Sequence, residues 1–244
     1  QAMKSFEAVL SKGLQEIPDD SYLLATEADF SRVVQDDARA LAALNAAHKA
    51  NPREPFIAGR LARVLESKGE LHEAHEILKE ALASNRSDRQ LNFRLGRILQ
   101  KLGEADPQVL LSYFRRAFAQ GDSNYEAQFW FARYSFESDD LAQRTESAQM
   151  FRALRGAHMA HAVKVEIKDT ARKNGNNVTF AGTVGQMNEG FGFIHRDGLG
   201  DRIFVHRNEQ APEVWSRLAP GARVQFELGF SLSGVKAMSV RLFA

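Results

Sequence analysis

Aromatic side chains recur at every second position in two short stretches near the C-terminus. Phe191 and Phe193 each follow a glycine in the first stretch, and Phe204 and His206 lie in the second. Because alternate residues of a β-strand share one face, each stretch predicts a strand that carries its rings on one side. Residues 197–201, with two glycines and two aspartates, predict the turn between the strands. A face of this kind is either a buried core surface or a platform on which nucleobases stack.

The two stretches belong to an ordered series of five strand motifs between residues 178 and 244. In chain order the motifs are Gly182-Thr183-Val184, Gly190-Phe191-Gly192-Phe193-Ile194, Ile203-Phe204-Val205-His206, Val224-Gln225-Phe226-Glu227 and Ala237-Met238-Ser239-Val240. This series resembles the cold-shock domain. The resemblance implies a small five-stranded antiparallel OB-type barrel that binds single-stranded RNA or DNA.

The resemblance also implies how such a barrel would hold its ligand, with rings stacked on bases and arginines near phosphates. The candidate nucleic-acid-binding residues are Phe191, Phe193, Phe204, His206, Arg196, Arg202 and Arg207.

The chain departs from the family pattern on and beside this surface. Gly185 and Gln186 stand where a basic and then an aromatic residue are usual, Glu189 stands where a lysine is common, and Arg207 replaces an aromatic residue. Each stacked base contributes roughly 1–3 kcal/mol. Two interpretations therefore stay open: the barrel still binds a single strand, or it is kept as a protein-contact or structural module.

The N-terminal part of the chain repeats itself with a fixed period. Leu10, Leu44 and Leu78 are each 34 residues apart, as are Ala40 and Ala74. This is the period of the tetratricopeptide repeat, which is a pair of antiparallel helices. We expect a partial repeat at 1–20, repeats at 21–54, 55–88 and 89–123, and a degenerate repeat at 124–155. The fold class is therefore multidomain α + β, a tetratricopeptide-like helical solenoid followed by the barrel.

Equivalent positions on the first helices of the repeats carry arginine. Arg63, Arg97 and Arg133 are spaced 34 and then 36 residues apart, and Phe93 and Phe129 precede the last two by one helical turn. In such repeats the first helices line the concave surface. These five residues form either a groove for an acidic peptide, a C-terminal carboxylate or a phosphate backbone, or a solvated row with packed phenylalanines.

The segment 156–177 joins the two parts. Val163, Val165 and Ile167 alternate with charged residues, which predicts an extra strand that pairs with the first strand of the barrel. The alternative is a flexible basic tether.

The first expected repeat is incomplete, because residues 6–18 match only its second helix. An array of repeats needs a cap or neighbour on its first face, so we expect the natural protein to continue towards the N-terminus. Repeats followed by a cold-shock-like module resemble the C-terminal part of some large bacterial signalling ATPases. A catalytic region would then lie upstream.

Composition limits the remaining function classes. The 244 residues contain no cysteine, which excludes disulfides and thiolate zinc sites. Residues 1–156 carry 21 basic and 23 acidic side chains, whereas residues 157–244 carry 11 and 8, so the basic excess lies with the rings. The absence of cysteine fits a reducing cytoplasm, and no apolar run is long enough to cross a membrane, so we expect a cytoplasmic protein.

We expect a non-enzymatic binding module without metal or cofactor, since no nucleophile–base pair or phosphate-binding glycine loop is present. Its expected partners are single-stranded RNA or DNA and a protein or peptide ligand of the repeats. The alternative is a protein-interaction scaffold or sensor region of a larger ATPase, with the barrel as a structural cap.

Overall fold

A computed structural model describes residues 2–103, 106–173 and 175–243. The chain divides into two compact units, Gln1–Asp122 and Ser123–Ala244. The division falls between residues 122 and 123. The boundaries at 155 and 178 that the sequence suggests for repeats, linker and barrel stay predictions.

The first unit is built from helices that follow the predicted period. They are α1 (Ala2–Glu16), α2 (Ser21–Val33), α3 (Asp37–Ala50), α4 (Pro55–Lys68), α5 (Leu71–Ser84), α6 (Arg89–Leu102) and α7 (Pro107–Arg116). The first helices of successive pairs, α2, α4 and α6, begin 34 residues apart. Helix α7 begins 36 residues after α5. This interval is two residues longer than the period, and positions 104 and 105 within it lie outside the described residues.

Aspartate caps at the N-terminal ends and glycine caps at the C-terminal ends determine where several of these helices begin and end. The carboxylates of Asp20, Asp36 and Asp88 accept backbone N–H bonds of 2.8–2.9 Å from the first turns of α2, α3 and α6. An acidic N-cap satisfies amides that have no partner within the helix and interacts favourably with the helix dipole. Helices α4 and α6 end at Gly69 and Gly103, whose φ angles of 82° and 73° lie in the left-handed region.

Small residues let neighbouring helices of the first unit approach closely. Ala62 and Ala74 are fully buried, and Leu65 and Leu78 fill the layer beside them, as the repeat predicts. Gly96 occupies the place equivalent to Ala62 on α6. A Cβ atom there would lie 2.9 Å from the ring of Phe114, which is itself fully buried. The ring therefore occupies the space that a side chain at position 96 would need.

The second unit begins with helices and continues with strands. The helices are α8 (Tyr125–Phe136), α9 (Leu141–Leu154), α10 (His161–Glu166) and the short α11 (Pro212–Trp215). The strands are β1 (Lys168–Thr170), β2 (Arg172–Lys173), β3 (Asn176–Asn177), β4 (Thr179–Met187), β5 (Phe191–Arg196), β6 (Arg202–His206), β7 (Arg223–Ser231) and β8 (Gly234–Leu242).

Strands β4 to β8 close into the predicted five-stranded barrel. The sheet order is β1-β7-β4-β5-β6-β8, and β8 also pairs with β7, which closes the ring of strands. The parallel pairing of β6 with β8 joins Phe204 and Lys236. Branched residues such as Ile194, Ile203 and Val205 point inward and are buried. This arrangement confirms the OB-type fold.

The segment before the barrel differs from the expectation. Residues 161–166 form helix α10, and the extra strand comes later, at Lys168–Thr170. It pairs with Gly229–Ser231 of β7 and not with the first barrel strand. Strand β4 pairs with residues 223–227 of β7, so the end of β7 at residues 229–231 leaves an edge that β1 joins. The alternation of Val163 and Val165 spans too few residues to exclude a short helix.

The helical pair α8–α9 packs on the barrel around Phe230 of β7. The ring of Phe230 lies 5.7 Å from that of Phe136 and 6.4 Å from that of Phe151. The guanidinium carbon of Arg133 lies 4.3 Å from the centre of the same ring. This aromatic cluster, with a cation–π contact, makes the helices and the barrel one compact unit. Within the described residues, no helix has both the length and the apolar character required to cross a bilayer.

Two glycines on equivalent helices are expected to respond oppositely to substitution. Gly96→Ala pushes a Cβ atom against the buried ring of Phe114 and should lower the free energy of unfolding of the first unit by about 1–3 kcal/mol. Gly59→Ala on α4 meets only an ordinary 3.4 Å contact with Leu91 and should raise it by up to about 1 kcal/mol. Urea denaturation of the two variants measures both effects. Equal stability of the two variants would show that Gly96 is not needed for packing.

Candidate nucleic-acid interface

Four aromatic side chains form an outward-facing surface on the barrel. Phe191 and Phe193 come from β5, and Phe204 and His206 come from β6; together they are called the ring face. Phe191 is 39% exposed, and the other three are half-buried. The branched residues Ile194, Ile203 and Val205, which alternate with the rings, fill the barrel interior. Because successive side chains of a strand point to opposite faces, the rings face outward.

Strand pairing brings these rings together. Phe191 lies opposite His206, and Phe193 lies opposite Phe204. The rings of Phe191 and Phe204 are 5.9 Å apart and nearly parallel, at 28°. Phe193 packs edge-on against both, at 6.2 and 5.9 Å. These ring–ring contacts hold the side chains in a defined arrangement. A surface that is already ordered without a ligand would lose less entropy if one bound.

The imidazole of His206 is oriented by the backbone that follows it. Its Nδ1 atom accepts a 3.1 Å hydrogen bond from the N–H of Asn208. In the neutral ring the proton therefore resides on Nε2, which leaves that atom as a hydrogen-bond donor. The ring centre is 6.1 Å from that of Phe204. His206 can thus offer the flat side of its ring to one base and an in-plane N–H donor to a different neighbouring group.

Two of the three candidate arginines lie beside the ring face. The guanidinium carbon of Arg202 stands 4.4 Å from the centre of the Phe193 ring, and the side chain is exposed. Arg207 is exposed in the 3-10 turn Arg207–Glu209 that follows β6. Both positions suit contacts with the phosphates of a strand lying on the rings.

Arg196 does not belong to this surface, which corrects the expectation from sequence. Its guanidinium is buried and donates two bonds, of 2.9 and 2.6 Å, to the carboxylate of Asp201. The same group stacks near the rings of Phe136 and Phe180. Arg196 shares its strand face with Ile194, so it points into the barrel end, where it pairs with Asp201 and holds the β5–β6 turn.

His195 is a neighbour of the ring face that the sequence reasoning missed. It is exposed and lies opposite Arg202 and Thr183. A Cβ atom on Gly185 would lie 2.6 Å from its Nε2 atom. The imidazole therefore occupies the space that the absent side chain at 185 leaves. The signal was present, because residues 191, 193 and 195 alternate on one face.

A cleft separates part of the ring face from helix α9. Its volume is about 990 Å³, and all of its walls belong to the second unit. The rings of Phe193, Phe204 and His206 form one wall. The opposite wall comes from α9, including Phe151 and Arg152. The rings are therefore accessible, and the helices confine the space in front of them.

The predicted arginine row in the helical part is only partly realised. Arg63 is exposed on α4, and Arg97 is half-buried on α6, where it donates a 2.9 Å bond to Gln100. Phe93 is half-buried and packs edge-on against Phe114 at 6.2 Å. Burial and repulsion from Arg63 lower the pKa of the neighbouring Arg94 guanidinium despite its 3.1 Å ion pair with Glu66.

Arg133 and Phe129 do not line a groove, which corrects the second part of that prediction. Phe129 has no exposed surface, and Arg133 is buried in the second unit. Arg133 forms ion pairs with Glu137 and, at 2.8 Å, with Asp169 of β1. Burial alone would lower the pKa of this guanidinium, but attraction by the two carboxylates raises it. The sequence period persists here, but this helix packs against strands.

Comparison with known sequences assigns the C-terminal part of the chain to a protein family. The model of the family described as the 'Cold-shock' DNA-binding domain matches residues 180–243. The cold shock-like protein CspA of Stigmatella aurantiaca is 37% identical over 62 residues, which are 25% of this chain and 91% of that protein. A cold shock protein of Arthrobacter globiformis is 41% identical over 63 residues, which are 25% of this chain and 94% of that protein.

Solved structures match the helical repeats. YrrB, described as a TPR protein with an unusual peptide-binding site, aligns with a TM-score of 0.52 and 24% identity over 63% of this chain and 77% of its own. PilF of Pseudomonas aeruginosa aligns with a TM-score of 0.53 and 13% identity over 68% of this chain and 75% of its own. At these identities the likeness establishes the tetratricopeptide fold, as predicted, and the fold alone.

Removing the charge of Asp169 should destabilise the second unit. Asp169→Asn takes one of two carboxylates from a guanidinium that is only 5% exposed, and should lower the free energy of unfolding by about 1–3 kcal/mol. Asp197→Asn is the matched control, because its ion pair with Arg223 is about half exposed and such pairs contribute little. Thermal unfolding of both variants gives the comparison. If the two variants unfolded at the same temperature, the buried ion pair between Arg133 and Asp169 would not be the contact that holds β1 against α8.

Proposed function

We propose that the barrel of this chain, which belongs to the cold-shock family through residues 180–243, binds single-stranded RNA or DNA on the ring face. The observation that carries the proposal is the outward orientation of four aromatic side chains beside the exposed guanidinium of Arg202. Unstacked bases lie on aromatic rings with little regard for sequence, because every base has a π-face.

Two kinds of contact supply the binding energy. Phe191, Phe193, Phe204 and His206 stack on bases, and each stacked base contributes roughly 1–3 kcal/mol. Arg202 and Arg207 contact phosphates, and the counterions that they displace make the affinity depend on salt. Gly185 and Gln186 provide no stacking partner, so we expect weaker binding than a complete set of family residues would give.

The ring face is tested by titration with labelled oligonucleotides. The wild-type chain is titrated with oligothymidine and oligouridine of about eight nucleotides, within the site size of an OB barrel, at low and at moderate salt. Micromolar binding that weakens with salt is expected. Phe191→Ala/Phe204→Ala should weaken it about thirtyfold or more, since two stacking partners contribute at least about 1 kcal/mol each.

Phe243→Ala is the matched control for this titration. Phe243 is 44% exposed in the same unit but is not part of the ring face, so its removal should leave the affinity unchanged. An equal loss in this variant, or no binding by the wild-type chain at low salt, would contradict the proposal. Circular dichroism of each variant verifies that the barrel remains folded.

For the helical repeats of the first unit we propose a protein-binding role, with a peptide that is acidic or ends in a carboxylate. Arg63 and Arg97 stand on equivalent turns of α4 and α6, and Arg94 lies next to Arg63. A bound carboxylate would relieve the repulsion between these guanidinium groups. YrrB, which shares this fold, is described as having a peptide-binding site. The combined function is that of an adaptor that links a single strand to a protein partner.

A synthetic peptide with an acidic C-terminus tests this second role. Arg63→Glu should abolish its binding, because the substitution places a negative charge where a carboxylate would sit. Lys49→Glu, an equal charge change at an exposed site on the second helix of a pair, should not. Equal affinity in both variants would refute the arginine site. If the wild-type chain bound the peptide but no oligonucleotide, the result would favour the alternative, a protein scaffold with the barrel as a cap.

A further inference from the structure

We infer that helix α9 supplies a second wall to the nucleic-acid site, so that the strand lies in the cleft between α9 and the ring face with phosphates on Arg152 and Arg155. The inference rests on the proposed function of the ring face and adds to it a surface outside the cold-shock domain. It predicts that binding depends on residues that precede the barrel in the chain.

The first observation is the continuity of the cleft with the ring face. Phe193, Phe204 and His206 line the same space as Phe151 and Arg152 of α9. Its volume of about 990 Å³ falls at the upper end of the range for ligand pockets, so the cleft has room for a nucleotide and more. A base stacked on these rings would therefore extend its sugar and phosphate towards α9.

The second observation is the charge of the cleft. Arg152, Arg155, Arg202 and Lys236 line it, and the carboxylate of Glu209, which pairs with Lys236, is the acidic group among its described lining residues. Arg152 lies on α9, and Arg155 caps the C-terminal end of that helix. The two arginines are about one helical turn apart, on the side that carries Ala148 and Phe151. Cations on both sides of a row of rings suit a polyanion whose bases face one wall and whose phosphates face the other.

The third observation is that the position of this wall is fixed. Phe151 packs on Phe230, and Nε of Arg155 donates a 2.9 Å bond to the carbonyl of Ser233 in the β7–β8 turn. A Cβ atom on Gly234 would lie 3.3 Å from the Arg155 guanidinium, so the glycine leaves that group its space. A guanidinium has five N–H donors, and the bond to Ser233 uses one. Arg155 can thus fasten the helix to the barrel and still contact a phosphate.

A second cavity continues the path beyond Arg155. Its volume is about 760 Å³, and it shares Arg155 and Lys236 with the cleft. Asp169 also lines it, and its carboxylate is paired with Arg133. The cavity is lined as well by Lys164, Lys168 and Arg172. A strand that leaves the ring face past Arg155 meets these side chains next, so the site is longer than the surface of the barrel alone.

The salt dependence of binding tests the wall directly. Each phosphate contact to a single strand contributes about 0.7 to the slope of log affinity against log salt. Arg152→Gln/Arg155→Gln should therefore weaken binding of an oligothymidine of about twelve nucleotides and reduce that slope by about 1.4. Arg217→Gln/Arg241→Gln removes the same charge from exposed side chains that line neither cavity, and should leave the slope unchanged.

Arg155→Lys separates charge from structure. The lysine keeps the positive charge and loses the guanidinium bond to Ser233, so the slope should stay near that of the wild-type chain. A slope that fell as far in Arg155→Lys as in the double variant would assign the effect to loosened packing and overturn the inference.

The outcomes also separate this inference from the function on which it rests. An unchanged slope in Arg152→Gln/Arg155→Gln, with binding still lost in Phe191→Ala/Phe204→Ala, would overturn the second wall and leave the ring face standing. No binding by the wild-type chain would overturn both. A slope reduced by about 1.4 in the α9 variant, and by nothing in its control, supports the inference.

Discussion

The burial of Phe230 between the barrel and two helices is the interaction on which the second unit depends. Its ring is covered by Phe136, Phe151 and the guanidinium of Arg133, and Arg133 is in turn neutralised by two carboxylates. Apolar area and a paired charge are thus buried at the same place. Without this contact α9 would lose the packing that, together with the bond from Arg155 to Ser233, holds it beside the barrel as a wall of the cleft.

The chemistry of the ring face follows from a simple constraint on strands. Ile194, Ile203 and Val205 are the residues that fill the barrel interior, and the pleat then turns Phe193, Phe204 and His206 to the outside. A shift of one residue would bury the rings and expose the branched side chains. The packing of the core therefore selects the functional surface. Cross-strand contacts among the rings then fix their orientation.

Much of the fold could be predicted because it depends on periods. The spacing of 34 residues predicted α2, α4 and α6. The alternation of 191, 193, 204 and 206 predicted that these rings share one face, and it left open whether that face is buried or exposed. Where a short pattern competed with tertiary pairing, prediction failed. Val163 and Val165 alternate as in a strand, yet the edge of β7 pairs with residues 168–170.

The site could be predicted less well, because the sequence does not show whether a charged side chain will form an ion pair in the folded protein. Arg196 lies near the rings in sequence but has the same parity as Ile194, and Asp201 holds it inside. Arg133 keeps its place in the repeat, yet it is buried against Phe230 and paired with Asp169 of β1. The cleft itself joins residues 152 and 204, and no local pattern connects such distant positions.

The most direct test of the two-walled site is photochemical cross-linking to an oligonucleotide that carries thiolated pyrimidines. Cross-linked peptides are identified by mass spectrometry after digestion of the folded complex. Attachment is expected both within residues 191–206 and within residues 152–155, at the C-terminal end of α9. Attachment confined to the first unit, or to barrel strands away from the rings, would contradict the proposed site.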